Sequence, residues 1–214
     1  SKLSIPSVIK DICNKLRKSG FEAYIVGGSI RDIIMNRATS DFDIATSALP
    51  HQIASVFPEA KPYGDFGTML VLAQGIKVEI TPFRDDAPGR KPNYTFGGNI
   101  YTDLARRDFT INSIAYDPAR EALVDPFGGM EDIKKGVIRC TGSTERLWED
   151  PLRAMRAARL QGQLGFKIES STLYALKAHA DLLNTVSKER IRDELIKLIT
   201  GDYFFDALVT LAVT

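Results

Sequence analysis

The sequence predicts an α+β fold: a short mixed sheet with flanking helices in the first part, then an all-helical second part. Short β-rich runs (EAYIV, DFDIAT, MLVLA and KVEITPF) crowd the N-terminal half. Turn residues and helical spacing separate them, as in folds where helices pack on a sheet. From Asp150 onward strand signals give way to apolar residues at helical intervals. The composition changes near Val137 to Ser143, which predicts two parts, residues 1–137 and 138–214.

From Ile5, the residues Ile5, Val8, Ile9, Ile12, Cys13 and Leu16 fall on one helical face, and Gly20 supplies a stop. EAYIV (Glu22 to Val26) reads as a strand running into Gly27-Gly28, IRDIIMN as a short helix and DFDIAT as a second strand. Met69 to Ala73 and Lys77 to Phe83 read as a hairpin joined by Gln74-Gly75. The segment Arg84–Asn99, rich in Pro, Gly and charge, reads as a mobile loop. A helix is expected from about Thr102 to Ala115, carrying RRDFTINSIAY, followed by turn chemistry at LVDPFGG. The second part reads as helices over PLRAMRAARLQGQLG, Ser171 to Leu183 and Lys188 to Ile199. The last run, FFDALVTLAVT, has no stop signal, which predicts a piece of a longer protein.

At 214 residues, 44% hydrophobic and 26% charged, the chain has the composition of a folded globular protein. Its net charge of +1 supplies no global attraction to polyanions, so a nucleic acid would have to be met by a local basic patch. Cys13 and Cys140 form no CxxC pair and only His51 and His179 accompany them, which disfavours a Cys/His metal cluster and fits a reducing cytoplasm. No run reaches the roughly 18 apolar residues a membrane span needs, so no membrane partner is expected.

Side chains alternate faces along a strand, so Asp41 and Asp43 project from one side and Phe42 and Ile44 from the other. Two carboxylates this close repel unless a cation lies between them, and Mg²⁺ accepts such hard oxygen ligands together with substrate phosphates. A pair of turn-capping or solvated acids is the alternative. Gly27-Gly28, between a strand and a helix, allows backbone N–H groups to approach phosphate oxygens, and Arg31 adds a guanidinium; a tight turn would also use the pair. Neither a Walker Lys-Ser/Thr nor a complete GxGxxG is present, which disfavours the P-loop and dinucleotide readings; a phosphate cradle beside a metal-binding acid pair points instead to nucleotidyl transfer. Glu79 completes a three-carboxylate set if its strand lies beside Asp41 and Asp43, and is otherwise the outer face of a half-buried strand.

On the expected helix, Asp108 and Asn112 share a face at i, i+4, suited to ribose and to sugar or phosphate, or to solvent. Asp150 is placed to cap a helix whose first position is Pro151. With Arg153 one turn on, it also matches cytosine and adenine, which present an exocyclic amine donor beside a ring-nitrogen acceptor; uracil and guanine present the reverse. Arg156 and Arg159 continue a basic stripe suited to phosphate or to a solvated face.

In order, GGSIRD, DFDIAT, RRDFTINSIAYD, DPFGG, EDPLRAMRAARLQGQLGF and ERIRDEL resemble the class II tRNA nucleotidyltransferases, the CCA-adding enzymes, with the bacterial poly(A) polymerases as close relatives. The resemblance spans about Tyr24 to Leu198. It implies a polymerase-β-like nucleotidyltransferase head followed by a helical neck. It also implies Mg²⁺ on Asp41 and Asp43, triphosphate on Gly27, Gly28 and Arg31, ribose on Asp108, and supporting nucleotide contacts from Arg107 and Asn112. Glu149, Asp150 and Arg153 match the motif that reads the incoming base, and Glu189 to Glu194 the motif that supports it. The expected activity is addition of C and A from CTP and ATP to the 3′ end of tRNA, with no nucleic-acid template. Two departures accompany the resemblance. The family's helical body and tail domains are missing after Thr214, and the Arg84–Asn99 loop is several residues shorter than in CCA-adding members, as in CC-adding relatives. CC-only addition, A-only addition, poly(A) synthesis and a non-catalytic RNA- or nucleotide-binding module are the alternatives.

Overall fold

Helix α1 (Ser7–Lys18) buries Ile9, Ile12, Cys13 and Leu16, the stripe its periodicity predicts, and packs on the sheet through β1 (Ala23–Val26). The structure, a computed structural model, describes residues 2–86 and 94–214. It divides into two units: residues 1–107 with 111–129, and residues 108–110 with 130–214.

In the first unit, α2 (Gly28–Ile34) follows β1 after one residue and leads to β2 (Asp41–Thr46). Helix α3 (Pro50–Val56) and β3 (Lys61–Tyr63) come next, two short elements whose apolar residues are too few to show a period. Strands β4 (Thr68–Ala73) and β5 (Ile76–Pro82) form the expected hairpin; Gln74 and Gly75 adopt φ of 51° and 78°, the positive pair that matches a tight turn to strand twist. The segment expected to be a loop from Arg84 to Asn99 carries strand over 84–86 and again over 94–96. Strands β6 (Arg84–Asp86) and β7 (Tyr94–Phe96) pair antiparallel, with Arg84 opposite Phe96. Residues 87–93, and with them the length comparison drawn for this segment, lie outside the described residues.

The largest correction follows α4 (Ile100–Ala105), which is capped by the Asn99 side chain accepting from the Tyr101 and Thr102 amides. The helix expected to reach Ala115 stops here. A single 3₁₀ turn, Thr110–Asn112, and strand β8 (Ala115–Asp117) take its place. Strand-like pairing is the physical cause: Phe109 bridges Cys140, Thr110 N–H donates to the Arg139 carbonyl and Thr141 N–H to the Asp108 carbonyl, each at 2.9 Å. These partners lie far along the chain, so local propensity did not announce them. Strand β9 (Ala122–Val124) completes a seven-stranded sheet, ordered β3-β4-β5-β2-β1-β8-β9, in which only β2 and β5 run parallel. All four residues of β1 are buried, as expected of a strand covered on both faces. Tyr24, Val26, Ala45, Phe83, Ile100, Leu104 and Ala115 form one core beneath α4.

The second unit contains all of α5 (Gly129–Lys135) but its first residue, the parallel pair of β10 (Val137–Ile138) and β11 (Lys167–Ile168), and the helices α6 (Leu152–Leu164), α7 (Ser170–Ala178), α8 (Lys188–Ile199) and α9 (Phe204–Val213). Helix α6 packs on α8 and α9 around Ala158, Leu198 and Ala207, and ends at Gly165 in the left-handed conformation. The expected helix from Ser171 to Leu183 is α7 followed by a 3₁₀ segment, Ala180–Thr185.

Candidate functional site

Strand β1 ends at Val26, and the next residue, Gly27, adopts φ 73° and ψ −148°, a region open essentially to glycine alone. A Cβ added there would lie 3.3 Å from Asp43 Oδ2 and 3.4 Å from Arg107 Nη1. One added to Gly28 would lie 3.3 Å from Arg31 Nη2. The bare backbone of the pair thus leaves room between one carboxylate and two guanidinium groups.

Asp43 stands opposite Val26 on one side and opposite Glu79 on the other, because β2 lies between β1 and β5. The register of the parallel pair therefore brings Glu79 beside the acid pair, while Asp41 faces Lys77. Lys77 Nζ in turn lies 2.9 Å from Glu79. Burial pushes the Asp43 carboxyl up to about 6; Arg107 opposes the rise, while the Glu79 charge, a hydrogen bond with Glu79 and the Asp41 charge add to it. Crowded oxygens of this kind suit a hard divalent cation, whose charge would relieve them. Among the described residues no three His, Cys, Asp or Glu side chains are gathered to hold an ion by themselves. A carboxylate pair that water and substrate phosphates complete is the arrangement Mg²⁺ accepts, so the residues present fit that ion.

Arg31 is 8% exposed and held on two sides: Nη1 donates to Asn112 Oδ1 at 2.7 Å, and Nε and Nη2 donate to Asp32 at 3.0 and 2.9 Å. Arg107 is held by Asp103 at 3.0 Å. Sequence reasoning missed Asp103 and Asp32, although their spacings were visible: Asp103 precedes Arg106 and Arg107 by three and four residues on α4, and Asp32 adjoins Arg31.

Asp108 and Asn112, expected to share a helix face, fall in different units. Asn112 faces Arg31, whereas Asp108, 4% exposed, accepts from the Phe109 amide and forms an ion pair with Arg156 at 2.8 Å. In the second unit Asp150 acts as the expected cap, accepting from the Leu152 amide at 3.2 Å, and its other oxygen pairs with Arg190 at 3.1 Å. Arg153 Nη1 donates to the Arg146 carbonyl at 2.6 Å, with Glu149 3.9 Å away. Arg159 pairs with Glu194 at 2.6 Å. The ERIRDEL motif on α8 therefore grips the start and the middle of α6.

The family described as Poly A polymerase head domain matches residues 23–139. The chain belongs to that family. In this family member a second match, described as a probable RNA- and SrmB-binding site of polymerase A, covers residues 165–214. A CCA-adding enzyme of Geobacillus thermodenitrificans is 43% identical over 209 residues, 95% of this chain and 52% of its own length. One from Leuconostoc mesenteroides is 46% identical over 89% of this chain and 49% of its own length. The CCA-adding enzyme of Bacillus stearothermophilus in complex with CTP superposes with a TM-score of 0.90 at 39% identity, over 97% of this chain and 52% of that one. The Thermotoga maritima CCA-adding enzyme complexed with tRNA(CCA) superposes with a TM-score of 0.81 at 26% identity, over 98% of this chain and 51% of that one. The chain spans about half the length of these relatives. The resemblance read from six motifs is borne out, and the mixed sheet with its helices is the polymerase-β-like nucleotidyltransferase head.

Proposed function

We propose that this chain is the head and neck of a tRNA nucleotidyltransferase that adds C and A from CTP and ATP to the tRNA 3′ end. The observation that carries the reading is the meeting of the Asp41 and Asp43 carboxylates, the bare Gly27–Gly28 backbone and two guanidinium groups, in a chain 43% identical to a CCA-adding enzyme. Gly27, Gly28, Arg31 and Arg107 receive the triphosphate. Asp41 and Asp43 hold Mg²⁺, with Glu79 beside them. When bound, the ions acidify the primer 3′ hydroxyl and stabilise charge on the leaving pyrophosphate, the usual metal contribution to in-line displacement.

Base choice falls to Asp150 and Arg153: the carboxylate accepts a hydrogen bond from the exocyclic amine and the guanidinium donates to the ring nitrogen. Glu149 adjoins them, and Arg190 and Glu194 support the helix that bears them. Asp108 and Asn112 are the ribose and supporting nucleotide contacts, with Arg156 and Arg159 on the same basic helix face for phosphate. A reducing cytoplasm is the expected setting, and no helix among the described residues is long and apolar enough to cross a membrane.

The test supplies each of CTP, ATP, UTP and GTP with tRNAs ending before the first C or after CC, and with an unrelated RNA. Addition of C, C and A to the shortened tRNAs is expected. Arrest after CC, addition of A alone, or long A tails on any RNA would identify a CC-adding, an A-adding or a poly(A) enzyme instead. No incorporation by the full-length protein would leave a binding module. Arg153→Ala is expected to relax the choice of C and A over U and G.

A further inference from the structure

Asp103 lies on α4, 1% exposed, and its two carboxylate oxygens serve different partners. Oδ1 accepts from Arg106 Nη2 at 3.1 Å, Arg106 Nε at 3.2 Å and the Arg84 amide at 3.1 Å. Oδ2 is given to Arg107 Nη2 at 3.0 Å. Burying a carboxylate this deeply costs free energy, and packing α4 on the sheet needs only an apolar side chain at that position. Its placement makes sense through what it holds. Arg107 is anchored at Nη2, and its other terminal nitrogen, Nη1, borders the space that the missing Gly27 side chain leaves, with Asp43 Oδ2 bordering the same space.

We propose that Asp103 is a positioning residue for phosphate recognition: it fixes Arg107 so that one end of the guanidinium is presented to an incoming triphosphate. The inference rests on the nucleotidyl-transfer reading above. Two effects follow from the geometry. A guanidinium already ordered loses less side-chain entropy when an anion arrives. A guanidinium tied to Asp103 is also restrained from closing onto Asp43, whose carboxylate borders the same space, so that Asp43 is kept available. Arg106, on the first oxygen, adds a second positive charge beside the buried carboxylate, and the Arg84 amide ties the same oxygen to the first residue of β6.

The test is equilibrium binding of CTP and of inorganic tripolyphosphate, in Mg²⁺, to the wild-type chain and to Asp103→Asn, Arg107→Ala and the double variant. Asp103→Asn is expected to weaken CTP and tripolyphosphate binding about tenfold, the size of one lost charge-assisted hydrogen bond. The double variant is expected to bind no more weakly than Arg107→Ala alone, because Asp103 acts through Arg107. A loss of stability without change in affinity, or losses that add in the double variant, would overturn the proposal. Should Asp103→Asn fail to fold, Asp103→Glu takes its place in the same cycle, keeping the charge while displacing Arg107, with the same two outcomes. Failure of the wild-type chain to bind either probe would instead overturn the triphosphate reading of the site.

Discussion

Arg31 and Asn112 are 81 residues apart in the chain and joined at 2.7 Å, guanidinium to side-chain carbonyl, within the first unit. The bond explains why a 3₁₀ turn after α4 matters to a glycine loop after β1: the turn presents the acceptor that fixes the loop's arginine. Asn112→Ala leaves that donor unsatisfied in a nearly buried place. It is expected to cost about 1–3 kcal/mol in urea unfolding and to raise KM for CTP, whereas an exposed, non-bonded Asn112 would give neither effect.

Gly27→Ala confronts two obstacles at once, a backbone region closed to L side chains and an added methyl 3.3 Å from Asp43 Oδ2. The strain is expected to be about 1–3 kcal/mol. Incorporation should fall further than stability does, because the methyl occupies the space proposed for phosphate. Nucleotide addition at the wild-type rate by a folded Gly27→Ala protein would remove the glycine from the site.

Asp43 gives a pH dependence whose sign follows from its carboxyl standing at about 6 in place of 3.8. The folded state binds this proton more tightly than the unfolded chain, so stability falls as pH rises from 3.8 toward 6 and stays lowered above that. In EDTA at pH 7.5, Asp43→Asn should therefore melt at a higher temperature than wild type, with the gap closing below pH 4. Added Mg²⁺ should raise the melting temperature of the wild type alone, by mass action. A gap independent of pH would show that the buried charge is not its source.

Gly201 concerns the helical unit alone. A Cβ there would lie 2.5 Å from the Gly162 carbonyl oxygen, backbone that cannot step aside. Gly201→Ala is expected to force α8 away from α6 and to cost about 1–3 kcal/mol. Thermal unfolding measures it, and a neutral substitution would mean the helices do not approach so closely.

Much of this arrangement was legible because it depends on short-range rules. Alternation along DFDIAT places Asp41 and Asp43 on one face whatever surrounds the strand, and a glycine pair after a β-rich run announces backbone that needs no side chain. The Gln74-Gly75 turn and the Asp150 cap are equally local. Glu79 was half legible: its strand could be recognised, but its neighbour depends on register, and only the parallel pairing of β2 with β5 puts it opposite Asp43. RRDFTINSIAY misled for a related reason. Its apolar spacing suits a helix, yet Phe109 and Thr110 have strand-like partners at Cys140 and Arg139, some thirty residues away.

By itself the sequence determined the order of the motifs and the facing of the acid pair. Periodicity, turn chemistry and residue type act over a few residues and survive in any context. Tertiary structure alone decided that Asp108 and Asn112 part company, that Asp103 holds Arg107 and that Glu79 stands beside Asp43. Such partnerships depend on which distant backbone closes a segment's hydrogen bonds, and no spacing within one segment encodes that.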